Sequence, residues 1–248
     1  MGTKPAHQLQ QGLHLRLEPG LDAQALRPRF ASHGRLHIPG FFRDEDALAI
    51  GEALAGEGRW RRGVNQGTKS WDIPIDQLEA LPPPQSAQLT EAAYAAAAEG
   101  FQYLFDTFRM SAEAQAGRLH GDVLEAVYDF VNGPEFLDFV RALTGDSRPR
   151  YCDAQATRFT PGHFLTTHDD AVGGKHRLYA YVLNFTPRWR VDWGGLLLFL
   201  NEDGHIAEGY TPTFNALNIF RVPQEHCVSF VAPFARGPRL SITGWIRH

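Results

Sequence analysis

The chain has 248 residues, of which 43% are hydrophobic and 21% charged, with a formal net charge of −4. That composition supports a core without disulfides or a structural metal, and it offers no basic footprint for nucleic acid and no 18-residue apolar run for a membrane span. Two cysteines, Cys152 and Cys227, make no disulfide framework, so a reducing cytoplasm is the expected compartment.

The N-terminal MGTKPAHQLQQG lacks the apolar segment of a signal peptide. HLRL, from His14, reads as a short strand. The arginines of LRPRF and RWRR read as solvated faces. RLHIPGFF (residues 35–42) alternates and ends in a Pro-Gly signal, predicting a strand. DEDALAIGEALAGEG follows with acids in its first turn and a glycine exit, predicting a helix. LPPPQ (residues 81–85) is a breaker. The Ala-rich segment from Ser86 to Phe108 predicts a helix, with Phe101, Leu104, Phe105 and Phe108 at core spacing. Two more helices are predicted near 122–131 and 134–143, the second opened by Pro134.

Beyond Asp146 the texture changes. DAQATRF, RLYAYVLNF, GGLLLFL, NALNIFRV, CVSFVAPF and RLSITGWI are short apolar, β-branched and aromatic runs separated by turn residues. This pattern predicts an all-β sandwich or barrel, with the preceding helices packed outside it. The simplest organisation is a single domain over 1–248: helical support to residue 150, then a β core from 151 to 248.

Ordinary usage of His and Asp gives on the order of one His-x-Asp triplet by chance. This chain has two, HGD at 120–122 and HDD at 168–170. The first precedes a predicted helix, where Asp122 suits an N-cap. The second lies among strands. On an extended segment residues i and i+2 share a face, so His168 and Asp170 can converge while Asp169 turns away. His226, opening an apolar strand, is a candidate third ligand. Two histidines and a carboxylate match the facial set of non-haem iron sites, and a hydrogen-bonded polar rim is the bland alternative. Arg239, 13 residues later, opens the last strand with Ser241 on its face. An arginine pointing into a barrel calls for a carboxylate, from the protein or from a bidentate ligand.

HDD, WGGLLLF, the later histidine and R-x-S-I-T-G-W occur in this order between Tyr151 and His248. The region resembles the Fe(II)/2-oxoglutarate-dependent dioxygenases of the prolyl 4-hydroxylase-like group, and among them the ribosomal prolyl hydroxylase-related branch. IPGFF and its following helix are similar, more weakly, to the entry of that fold. The resemblance implies a double-stranded β-helix (jelly-roll) core, mainly β with flanking N-terminal helices. It implies Fe(II) on His168, Asp170 and His226, and 2-oxoglutarate with its far carboxylate on Arg239, assisted by Ser241. It further implies O2 as oxidant, ascorbate as a candidate reductant, and release of succinate and CO2 as a C–H bond is hydroxylated. The prime substrate would be a peptidyl residue such as proline, or a small metabolite, and neither nucleic acid nor membrane is an expected partner. Asp170 argues against the halogenase variant, in which a small residue replaces the carboxylate.

Close relatives often carry a tyrosine nine residues before the first iron histidine, and here that residue is Phe159. Tyr181 and Asn184 are the candidates to replace its hydroxyl, with a core aromatic the alternative for Tyr181. Competing readings are a non-haem iron dioxygenase without 2-oxoglutarate, against which Arg239 argues, and a catalytically silent jelly-roll binding module, against which the complete ligand set argues. His163, His176 and His205 read as loop or surface residues, Cys227 as a small strand residue, and Trp189 and Trp193 as anchors of a strand–loop junction, with lining of the substrate mouth the alternative.

Overall fold

A computed structural model of the chain describes residues 14–119 and 121–248. His120 of the HGD triplet and the segment before His14 lie outside the described residues. The N-terminal half opens with α1 (Ala23–His33), β1 (Arg35–Pro39) and α2 (Asp44–Gly56). Asp22 caps α1 by accepting from the Gln24 and Ala25 amides, and Gly34 ends it in the left-handed region. There follow β2 (Arg61–Gln66), β3 (Lys69–Pro74), α3 (Ile75–Glu79), α4 (Pro83–Glu99), β4 (Tyr103–Phe108) and α5 (Met110–Gln115). The remaining helices are α6 (Val123–Asn132) and α7 (Pro134–Thr144). Asp122 N-caps α6 through the Glu125 amide and pairs with Arg59, so the HGD aspartate is engaged structurally.

Three expectations in this half need correction. HLRL forms no strand, only an isolated bridge from Leu17 to Phe42. LPPPQ does not stay outside the helix, because Pro83 and Pro84 supply the first turn of α4. The segment to Phe108 is not one helix. Gly100 ends α4, and the next residues form β4, with alternate residues on opposite faces. The hairpin of β2 and β3, absent from the sequence reading, pairs with β4 and includes part of RWRR.

The C-terminal half contains β5 (Tyr151–Cys152), β6 (Gln155–Phe159), β7 (Phe164–His168), β8 (Arg177–Asn184), β9 (Leu197–Leu200), β10 (Ile206–Tyr210), β11 (Ala216–Arg221), β12 (His226–Val228) and β13 (Arg239–Arg247). All pairings are antiparallel, in the order β1-β11-β8-β13-β6-β4-β7-β12-β9-β10, with β2 and β3 beside β4 and β5 beside β13. The sheet curls into a nearly closed barrel, the jelly-roll core with helices outside that the resemblance implies. No described helix is long and apolar enough to cross a membrane.

Alternation along β8 and β13 places the core and the cavity on opposite faces. Tyr179, Tyr181, Leu183, Leu240, Ile242 and Ile246 pack outward against a core that includes Phe30 of α1, Phe136 of α7 and Phe41 of the loop before α2. Ala180, Val182, Arg239, Ser241, Thr243 and Trp245 face the barrel interior. Both faces are covered, which is why these strands read as nearly continuous apolar runs.

Candidate metal centre

β7 and β12 are antiparallel neighbours, and their register sets His168 directly opposite His226. The two imidazole centroids stand 4.2 Å apart. His168 Nδ1 lies 2.9 Å from the Thr166 carbonyl and His226 Nδ1 2.8 Å from the Gln224 carbonyl. A carbonyl only accepts, so each Nδ1 carries the proton and each Nε2 is left with its lone pair. Both Nε2 atoms face Asp170, one 3.5 Å from Oδ1 and the other 3.5 Å from Oδ2. Two donors bound at right angles, each about 2.1 Å from one ion, are about 3 Å apart, so modest inward adjustment closes the set on a metal. Among the described residues this is the cluster of His, Cys, Asp and Glu whose donor atoms could hold one.

Asp170 reaches this point by a route that strand parity does not describe. β7 ends at His168, and Asp170 adopts a left-handed backbone with φ 65°. That turn, rather than i to i+2 alternation, swings the carboxylate back beneath the imidazoles. Asp169 is exposed, and its carboxylate accepts from the Ala171 amide. Burial opposes the Asp170 charge, but the nearness of the His168 and His226 imidazoles outweighs it and holds the carboxyl below its ordinary range. Burial, with His168 close by, pushes His226 down to about 4. Its imidazole is therefore neutral and able to ligate at physiological pH.

Arg177, which the sequence reading passed over, fixes this turn. Its Nη1 donates to the Asp170 carbonyl at 2.9 Å and stands 3.8 Å from Asp170 Oδ1, while its guanidinium lies 3.5 Å over the Trp245 ring. The available signal was an arginine opening an otherwise apolar strand, the same signal that singled out Arg239.

Arg239 occupies the closed end of the cavity. It is 3% exposed, has no acidic partner among the described residues, and its Nε has no hydrogen-bond partner. Its guanidinium lies 5.0 Å from the Phe159 ring. Burial alone pulls it down to about 10. Ser241 is fully buried beside it, bonded to Thr157. The glycine pair shapes this wall: a Cβ on Gly194 would meet the Phe230 carbonyl oxygen at 1.9 Å, and one on Gly195 the Arg239 Cδ at 3.3 Å.

The structure removes Tyr181 from the site. It lies on the outward face of β8, packed on Phe136, and its hydroxyl donates to the Asp153 carbonyl at 2.7 Å. Parity puts Asn184 on the inward side with Ala180 and Val182, level with Ser241, and its Oδ1 has no partner. His163 lies in the loop before β7, one of the two places read for it, and is buried there. It is 3% exposed and pushed down to about 4 by burial, with Arg62 adding to the shift. His176 and His205 are exposed as expected. Trp189 and Trp193 pack edge to face, and Trp189 Nε1 donates to the Gly194 carbonyl, which anchors the loop. Cys227 sits in β12, and burial pushes its thiol up, away from reactivity.

A second, wider cleft of about 470 Å³ opens outside His168 and Asp170. Phe101, Tyr103 and Phe105 line one side, Val172 and Arg177 another, and a paired Asp72 and Arg109 sit on its rim. His168 and Asp170 therefore lie at the junction of an inner cavity ending in an unpaired cation and an outer cleft open to solvent.

A jelly-roll barrel with two histidines and a carboxylate at the mouth of a cation-ended cavity defines the class of non-haem iron oxygenases. Residues 154–247 match the family model described as 2OG-Fe(II) oxygenase superfamily. That match covers less than half of the chain; with the prolyl 4-hydroxylase-like build it marks the β core as a 2OG-Fe(II) oxygenase domain, the domain of a 2-oxoglutarate-dependent dioxygenase. The superfamily implies Fe(II), 2-oxoglutarate and O2.

Among solved structures, a Pseudomonas putida prolyl-4-hydroxylase is 16% identical, with a TM-score of 0.59, covering 91% of this chain and 98% of that one. A Trichoplax adhaerens prolyl hydroxylase, in complex with a hypoxia inducible factor oxygen degradation domain peptide fragment, is 13% identical with a TM-score of 0.60, covering 91% and 88%. The non-heme alpha ketoglutarate dependent epimerase SnoN from nogalamycin biosynthesis is 14% identical with a TM-score of 0.51, covering 90% and 81%. At these identities the likeness is one of fold. None of the curated proteins is detectably similar in sequence.

Proposed function

We propose that the protein is a hydroxylase in which His168, Asp170 and His226 hold Fe(II), Arg239 and Ser241 hold the far carboxylate of 2-oxoglutarate, and the outer cleft presents a C–H bond of a peptidyl residue. The observation that carries this reading is Arg239: a buried guanidinium without an acidic partner among the described residues, at the closed end of the cavity whose mouth holds the ligand set. A buried cation needs an anion. Charge balance supports the fit, because a divalent metal on one carboxylate leaves one positive charge, and Arg239 adds a second for a dianionic co-substrate.

When bound, the metal and 2-oxoglutarate supply the oxidation of a C–H bond by O2, with succinate and CO2 as co-products. The chain's own residues supply placement and exclusion of water. The two Nδ1–H···O=C bonds orient the imidazoles, and Arg177 locks the turn that carries Asp170. Phe105, Leu165 and Val228 help line the inner cavity with apolar surface. Phe101 and Tyr103 offer rings on which a substrate chain can rest.

A peptide is favoured over a small metabolite by the openness of this cleft, and the peptide complex of the Trichoplax neighbour is consistent with that choice. The SnoN likeness marks epimerisation as a second outcome that the same fold accommodates.

The test is anaerobic addition of Fe(II) and 2-oxoglutarate, followed by succinate assays with separate pools of peptides, proteins and metabolites. A weak visible charge-transfer band is expected in the wild type and none in His168→Ala. A well-folded wild type without the band refutes the iron and co-substrate assignment. Succinate formation dependent on the metabolite pool alone refutes the peptide.

A further inference from the structure

Phe159 leaves the inner cavity without the hydroxyl that a tyrosine there would supply. Strand register provides another. β6, β13 and β8 lie side by side, and Thr157 and Asn184 are both direct cross-strand partners of Ser241. The three side chains make one polar row, at most 3% exposed, next to the row of Phe159 and Arg239. Thr157 Oγ1 lies 2.8 Å from Ser241 Oγ and 3.3 Å from the Ser241 carbonyl oxygen. Asn184 Oδ1 makes no hydrogen bond, so it does not compete for the Ser241 proton.

Two hydroxyls carry two protons, and the count has two solutions. If Thr157 donates to the Ser241 carbonyl, Ser241 donates back to Thr157 and no hydroxyl proton faces the cavity. If Thr157 donates to Ser241 Oγ, the Ser241 proton is released toward the space beside Arg239. An anion on Arg239 selects the second solution, and a hydroxyl that accepts one bond is the stronger donor of the next.

We infer that Thr157 is a positioning residue for the co-substrate: it donates to Ser241 Oγ and so aims the Ser241 proton at the carboxylate held by Arg239, in place of the missing tyrosine hydroxyl. This rests on the reading of the inner cavity as the 2-oxoglutarate site.

The experiment is calorimetric titration of Mn(II)-loaded protein with 2-oxoglutarate, with Mn(II) binding alone measured on the same variants. Ser241→Ala, which deletes a bond to a charged group, is expected to raise the 2-oxoglutarate Kd by about 10- to 100-fold. Thr157→Val should raise it by about 3- to 10-fold, and Thr157→Ser should restore the wild-type value. The double variant Thr157→Val/Ser241→Ala should bind no more weakly than Ser241→Ala, because Thr157 acts only through Ser241. Mn(II) affinity should stay unchanged throughout. Thr157→Val binding like the wild type, or adding its full effect to that of Ser241→Ala, overturns the inference while leaving the site assignment standing. A loss of Mn(II) affinity in Thr157→Val overturns it by revealing a general structural role. Failure of the Mn(II)-loaded wild type to bind 2-oxoglutarate overturns the site assignment itself.

Discussion

Replacing Arg239 with methionine should make the ligand-free protein more stable while destroying its response to 2-oxoglutarate. The side chain is buried with no acidic partner among the described residues, and burial pulls its guanidinium down to about 10. The folded pKa lies below the unfolded one, so the protonated side chain penalises folding at every pH below about 10. The penalty is relieved only as pH rises beyond that value toward the ordinary arginine range. At neutral pH it is present in full, about 3 kcal/mol. Methionine fills most of the same volume without the charge, and imperfect packing takes back about 1 kcal/mol. Urea denaturation of the metal-free proteins at pH 7 should therefore favour Arg239→Met by about 2 kcal/mol. Mn(II) with saturating 2-oxoglutarate should stabilise the wild type further, by about 2.7 kcal/mol at a hundredfold excess over Kd, and should leave the variant at its Mn(II)-only value. A metal-free variant no more stable than the wild type would refute the claim that Arg239 is an uncompensated buried cation. A variant still stabilised by 2-oxoglutarate would refute its role in binding.

Acid should destabilise the metal-free protein between pH 6.5 and about 4, because unfolded His226 and His163 take up protons that the folded imidazoles refuse until about 4. Denaturant melts across that range should show it, and the decline should weaken in His163→Asn. Gly194→Ala should cost more than about 2 kcal/mol, since its Cβ would meet the Phe230 carbonyl oxygen at 1.9 Å on a backbone with φ 68°. Thermal melts beside those of a surface alanine variant would test this. Asp122→Ala should cost about 1 kcal/mol of stability through its lost helix cap and leave Mn(II) affinity intact. Lost metal binding there, or in His120→Ala, would overturn the preference for HDD over HGD.

Much of the site was legible because its residues sit in places where ordinary side chains are expensive. A histidine at the head of an apolar strand and an arginine inside one both announce themselves against a β pattern, and His226 and Arg239 stood out for that reason. The barrel strands were legible because short apolar runs alternate with turn residues.

What escaped depends on long-range pairing or local backbone. The register that sets His168 against His226 leaves no trace in either segment alone. Asp170 arrives through a left-handed turn, and strand parity named the right residue for the wrong geometric reason. Phe101, Leu104, Phe105 and Phe108 satisfy helical spacing as letters. Yet Gly100 resets the chain, and pairing with β2, β6 and β7 decides for strand. Tyr181 and Asn184 could be ranked only once the faces of β8 were known.

The join between β7 and β12 is thin: β12 spans three residues and its ladder with β7 contains a register irregularity. The two histidines sit across that join, so any ion they share would act as a rivet through a thin seam of the barrel wall. Loading the site and tightening the wall would then be one event. Amide protons of β7 and β12 would gain protection from exchange on metal binding, while those of the broad β8–β13 ladder would scarcely notice. Slippage of either strand by one residue would turn an imidazole to the far face. The ion thus rewards one register among those the chain can try, and a chain that closed its barrel wrongly would also be a chain that cannot hold iron.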